Sequence, residues 1–130
     1  MVSRAHAASR PSLTSGFMDR VREPRTAYIS PKRFSQVLGV PTNRFASLTG
    51  LHRNTLRNPS SERLQGKLRE MVKAITAAAG LTGDIQRALY WYRNEPIGDY
   101  GYKTAAELVA GGHVEAVMAY LRDLENGASG

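Results

Sequence analysis

Residues 60–80 read SSERLQGKLREMVKAITAAAG, and this stretch decides the fold class. Leu64, Leu68, Met71, Val72, Ile75 and Ala79 recur at i, i+4, i+7, i+8, i+11 and i+15, the spacing of one apolar stripe on an α-helix. Ser60 or Ser61 supplies an N-cap, Glu62 sits near the positive end of the helix dipole, and Gly80 offers a stop. Towards the C-terminus a second helix is expected from about Thr82 to Asn94, with Ile85, Ala88, Leu89 and Tyr92 on one face. Thr104-Ala105-Ala106-Glu107 fits a capping box, opening a short helix that Gly111-Gly112 closes. A last helix runs from about His113 to Glu125, with Val114, Val117, Met118, Leu121 and Leu124 on one side, and Asn126-Gly127 ends it. Towards the N-terminus, Ser30-Pro31 caps a helix carrying Phe34, Val37 and Leu38, which Gly39 stops. No stretch alternates at period two, so the chain is expected to be all-α.

A length of 130 residues suits one domain or two small helical units sharing a core. There is no cysteine, which removes disulfides, thiol catalysis and Cys-ligated zinc. His6, His52 and His113 are far apart and lack metal-ligand spacing, so no metal site and no cofactor is expected. Nucleophile elbows, phosphate-binding loops and dinucleotide fingerprints are absent, and the chain reads as a non-enzyme. No apolar run nears the roughly 20 residues that span a bilayer, and no secretory h-region opens the chain. No membrane partner and a cytoplasmic location follow as expectations.

The charge is lopsided. Residues 1–57 hold ten Lys/Arg and two acids, a net +8, while residues 58–130 hold eight and nine, a net −1. A basic end on a near-neutral remainder is the footprint of phosphate binding. Residues 1–25, rich in Ser, Ala and Arg at their start, are expected to form a flexible basic arm. Residues 26–59 are then a DNA-binding region and 60–130 a helical interaction domain.

Within that region PTNRFASLTGLHRNTLRNP, residues 41–59, reads as a helix-turn-helix. Phe45 and Leu48 mark its first helix, Thr49-Gly50 the turn, and Leu51 and Leu56 the inward side of the second. His52, Arg53, Asn54, Thr55 and Arg57 then face outward, a set suited to base edges and phosphates. Lys32, Arg33 and Arg44 are expected as phosphate contacts that orient the protein without reading sequence.

Residues 90–112, YWYRNEPIGDYGYKTAAELVAGG, gather Tyr90, Trp91, Tyr92, Tyr100 and Tyr102 around Pro96, Gly98 and Gly101. Three consecutive aromatics on a helix span roughly 200° and cannot share one core. Tyr92 belongs with Ile85 and Leu89, whereas Tyr90 and Trp91 must meet neighbouring helices or a partner. The near-neutral charge of this half argues against a nucleic-acid stacking platform. Tyr120, Arg122, Asp123 and Glu125 lie off the apolar face of the last helix, and Tyr and Arg are common interface anchors.

From Leu51 to Gly127 the chain resembles the Xre/MbcA/ParS-type toxin-binding antitoxins. SSERLQGKLREMVKAI is similar to the family's long helix, ALYWYRNEP to its Trp-bearing helix, and the segment with Gly98 and Gly101 to its loop. Thr104-Ala105-Ala106-Glu107-Leu108 resembles the next helix start, and VEAVMAYLRDLENG the terminal helix. Ala105 stands where the family usually has Pro, and Asp99-Tyr100 looks like an insertion. The resemblance implies a helix-turn-helix region packed with a small helical toxin-binding domain. It also implies a type II antitoxin whose C-terminal region, Tyr120 to Gly130, covers the NAD cleft of a RES-domain toxin that degrades NAD or uses it for ADP-ribosyl transfer. Tyr120, Arg122, Asp123, Glu125, Asn126 and Gly127 are the expected toxin contacts. Operator DNA for autoregulation and a homodimer within a hetero-oligomeric complex are the other implied partners. The alternatives are a stand-alone helix-turn-helix regulator whose C-terminal half dimerises, and an adaptor that binds no DNA.

Overall fold

The stripe of residues 64–79 becomes the central helix. A computed structural model describes residues 13–127, with side chains from residue 16 onward. In chain order its helices are α1 (Leu13–Val21), α2 (Pro31–Leu38), α3 (Thr42–Thr49), α4 (Glu62–Thr82), α5 (Ile85–Asn94), α6 (Ala105–Ala110) and α7 (Val114–Gly127), with 3-10 turns at Arg53–Arg57 and Gly98–Tyr100. Among the described residues no β-strand forms. Two isolated antiparallel bridges, Arg22 with Ile29 and Ile97 with Lys103, pin the loops. The protein is all-α.

Local capping chemistry sets most of the starts. Ser30 Oγ accepts from the Arg33 amide at 3.1 Å, and Ser61 Oγ from Leu64 at 3.3 Å. Thr104 and Glu107 form the reciprocal box, with the Glu107 carboxylate accepting from the Thr104 amide at 2.9 Å. One boundary differs from expectation. Gly80 lies inside α4, which runs on to Thr82 and stops at Gly83, where φ is +73°. A glycine inside a long helix costs only about 1 kcal/mol, so composition alone does not end one. Asp84 then caps α5 directly, moving its start from Thr82 to Ile85.

Leu64, Leu68, Met71, Ala74, Ile75, Ala78 and Ala79 of α4 are buried. Around α4 a single core extends from Phe17 to Leu121. Its N-terminal end is aromatic: the Phe34 ring meets Phe17 edge-on at 5.9 Å and Phe45 at 5.6 Å. Phe17 is therefore no part of a loose arm. The arm expected over residues 1–25 is replaced, from residue 13 onward, by α1, in which Phe17 and Val21 are fully buried. Phe17 and Val21 are one turn apart, and that spacing is easily hidden in a Ser/Arg-rich composition. Residues 1–12 of the expected arm lie outside the described residues.

Gln65 locks the loop after α1 to α4. Its Oε1 accepts from the Ile29 amide at 2.9 Å, and its Nε2 donates to the carbonyls of Ile29 at 2.8 Å and Pro59 at 2.7 Å. These bonds satisfy backbone groups that no strand partners, which is why a buried amide is tolerated here.

Candidate functional site

The segment expected to read DNA takes a tighter form. The second α-helix anticipated in residues 51–58 does not form; Arg53–Arg57 is a five-residue 3-10 turn. The cause is local. His52 Nδ1 accepts from the Asn54 amide at 3.1 Å, the Thr55 amide donates to the His52 carbonyl at 2.8 Å, and Asn58 donates to Thr55 at 3.2 Å. Pro59 then removes the next donor and disfavours helical geometry at Asn58. Leu51 and Leu56 are half-buried, as is Thr55, while His52, Arg53, Asn54 and Arg57 remain exposed.

The other expected phosphate contacts separate. Lys32 is exposed and lines an apolar groove of about 370 Å³ with Tyr28, Leu56 and Pro59. Arg33 is engaged within the fold. Its Nε donates to the Arg20 carbonyl at 3.0 Å and its Nη2 to the Asp19 carbonyl at 3.2 Å, closing the C-terminal end of α1. Arg44 is exposed on α3 and shares a cleft of about 200 Å³ with Arg93 of α5. Arg93 lies outside the set that the sequence singles out. Its Nη1 donates to the Leu38 carbonyl at 2.8 Å, a contact across 55 positions that no local pattern announces.

The aromatic stretch sorts into three groups. Tyr92 is fully buried, and its hydroxyl has no hydrogen-bond partner among the described residues. Burial, with the Glu70 carboxylate second, pushes its phenol far above the ordinary 10.0. Glu70 itself pairs with Lys67 at 3.0 Å, and the same Lys67 ammonium donates to the Val109 carbonyl at 2.7 Å. Trp91 and Tyr100 form the second group. Trp91 stacks on Tyr120 of α7, with centroids 6.5 Å apart and planes within 5°, and Tyr100 meets Tyr120 edge-on at 6.4 Å. The third group is exposed: Tyr90 at 63% and Tyr102 at 75%. Tyr102 also has a φ of +62°, uncommon for a bulky residue, and its amide donates to Ile97 at 2.9 Å.

Helix α7 is clamped along one side. Val114, Val117 and Leu121 are buried, Tyr120 is held by the aromatic stack, and Glu115 pairs with Lys73 of α4 at 3.0 Å. Tyr120, expected off the packed face, is thus half-buried and anchors the helix. Leu124, expected on the apolar side, is 43% exposed, because the core ends one turn earlier at Leu121. Arg122, Asp123, Glu125, Asn126 and Gly127 are exposed as expected. Residues 128–130 of the expected blocking element lie outside the described residues.

Among the described residues no group of three His, Asp or Glu is placed to hold a metal ion, and no helix is long and apolar enough to cross a membrane. Two exposed polar surfaces stand out: the end of α7 and a basic cleft between α3 and α5. No family model, curated protein or solved structure matches the chain.

Proposed function

We propose that this chain is the antitoxin of a RES-type toxin–antitoxin pair, that the exposed end of α7 covers the NAD cleft of the toxin, and that the basic side of the protein binds operator DNA. The observation that carries the toxin half is the geometry of α7. One side is fixed by Val117, Leu121 and the Trp91–Tyr120 stack, and the last turns present Arg122, Asp123 and Glu125 to solvent. A helix already ordered before contact loses less conformational freedom on binding, and so converts more of its contacts into affinity. Arginine beside carboxylates also suits a cleft that recognises a charged dinucleotide, since the same polar groups can be met by protein contacts.

The order of elements supports the same reading. A long helix, a Trp-bearing helix, a glycine loop, a capped short helix and a terminal amphipathic helix follow one another, as in the Xre/MbcA/ParS-type antitoxins. For the DNA half the support is electrostatic: the first 57 residues carry +8, and Lys32, Arg44, Arg53 and Arg57 are exposed. Paired half-sites would require two copies, hence a homodimer within the complex. The protein acts by binding, with no reaction of its own and no cofactor.

The test is charge reversal on α7. Arg122→Glu, Asp123→Lys and Glu125→Lys, combined, leave the packed side of the helix untouched and should preserve the melting temperature. Co-expressed with a RES-domain toxin encoded beside this chain, the variant should lose stable complex formation and protection from NAD depletion. Protection equal to the parent protein would contradict the assignment to α7.

A further inference from the structure

Helix α5 has a second face that the toxin-binding account does not use. Ala88, Leu89 and Tyr92 pack inward. On the other side Gln86, Arg87, Tyr90, Arg93 and Asn94 fall at i, i+1, i+4, i+7 and i+8, one continuous helical face. All but the half-buried Arg93 are exposed. This face borders two concavities that meet at Arg93. One, of about 250 Å³, lies against Val37 and Leu38 of α2; the other is the cleft holding Arg44 and Ser47 of α3. Neither is lined by Asp or Glu. The nearby carboxylates are otherwise placed: Asp84 caps the α5 amides of Gln86 and Arg87, and Glu95 lies with Trp91 in a third hollow that Tyr90 and Arg87 also line.

The cations here are held ready. Arg93 is oriented by its bond to the Leu38 carbonyl, which leaves its remaining N–H groups for a ligand. Arg44 and Arg87 make no ion pair among the described residues. The first turn of α3, which carries Arg44, begins at Pro41 without a side-chain cap. Two guanidinium groups facing one cleft without a carboxylate repel each other, and a phosphate between them removes that cost while accepting charge-assisted hydrogen bonds. The cations also form a row along α5 and across to α3, as a polyanion requires and a single small anion does not. One exposed aromatic is too few for a strand-stacking platform. Gln86 and Asn94, in contrast, are the amide types that pair with adenine in the major groove of a duplex.

We propose that duplex DNA is bound across this face, with a backbone phosphate in the Arg44–Arg93 cleft and α5, in place of residues 51–58, presented to the groove. This assignment rests on the DNA-binding half of the proposed function and is independent of the toxin-blocking half. The test compares Arg44→Gln with Arg87→Gln, as one double variant, against Arg53→Gln with Arg57→Gln as another. All four side chains are exposed, so both variants should melt with the parent protein. Binding to a labelled mixed-sequence DNA duplex is followed by fluorescence anisotropy over a salt series. Losing two phosphate contacts should make the slope of log affinity against log salt shallower by about 2 and lower the affinity at least about tenfold at low salt. That result in the Arg44/Arg87 variant supports the face, whatever the other variant does. An unchanged slope and affinity in that variant overturn it. If the Arg53/Arg57 variant alone loses binding, DNA recognition stands and belongs to residues 53–57. A parent protein that binds no duplex overturns both this face and the DNA half of the function, with toxin neutralisation left to its own test. Tighter binding of single-stranded DNA, lost in the Arg44/Arg87 variant, overturns the duplex assignment.

Discussion

Tyr92 carries a phenol that the fold buries without a hydrogen-bond partner, beside the Glu70 carboxylate. An unpaired buried hydroxyl keeps its desolvation cost and returns nothing, so Tyr92→Phe should leave stability at neutral pH unchanged or raise it by up to about 1 kcal/mol. The pH dependence separates this residue from other core positions. Below the ordinary value of 10.0 the phenol is neutral in both folded and unfolded chains, and the full contribution of the buried ring is present. Above it the unfolded chain ionises while the folded phenol stays protonated, so stability falls as pH rises. Urea titrations at neutral pH and above pH 10 should show a smaller alkaline loss in Tyr92→Phe than in the parent. An equal loss would place Tyr92 in contact with solvent. Residue identity alone separated Tyr92 from Tyr90 and Trp91, because three consecutive helical positions diverge in direction. It did not reveal that Trp91 and Tyr100 close on Tyr120, since that contact depends on how α5, the loop and α7 come together.

At the scale of elements, boundaries set by local capping were legible. Ser30, Ser61 and Thr104 each bond an amide three residues on, so sequence and structure agree there. Residues 51–58 depart from the expected α-helix for an equally local reason. His52, a polar residue of the kind that contacts base edges, also accepts from the nearby Asn54 amide through its ring nitrogen, and here it caps a 3-10 turn. The turn before it, at Gly50, controls a docking contact. Gly50 has a φ of +71°, and a Cβ there would collide with the Ala110 carbonyl of α6. Alanine at this position meets both a left-handed backbone, costing about 1–2 kcal/mol, and a backbone neighbour that cannot move aside cheaply. Gly50→Ala should therefore lose more than about 2 kcal/mol in chemical denaturation. Gly83→Ala, with the same backbone sign but open space around it, should lose less. Equal losses would show that α3 does not rest on α6.

Across the whole molecule, one core joins the basic and the near-neutral parts, so the two proposed surfaces are carried on one body. Net charge located the basic excess in the first 57 residues but could not say which cations are free. Arg33 turns inward to the end of α1, and Arg93, from the other half, joins Arg44. The bonds that orient these two arginines, Arg33 to the Arg20 carbonyl and Arg93 to the Leu38 carbonyl, cross 13 and 55 positions of sequence and follow only from the packed fold. The polar end of α7 was more legible: the helical period placed Arg122, Asp123 and Glu125 outside, whereas Leu124 emerged because the core stops at Leu121. That stopping point fixes the most direct test of the central claim. A chain ending at Leu121 retains Tyr120 of the stack and Leu121 of the core, and removes the exposed end of α7 together with residues 128–130. Cellular NAD, measured while this truncated chain is co-expressed with a RES-domain toxin that the full chain neutralises, should fall to the level seen with toxin alone, although the truncated protein remains folded. NAD held at the level given by the full chain would contradict the claim that this end of α7 blocks the toxin.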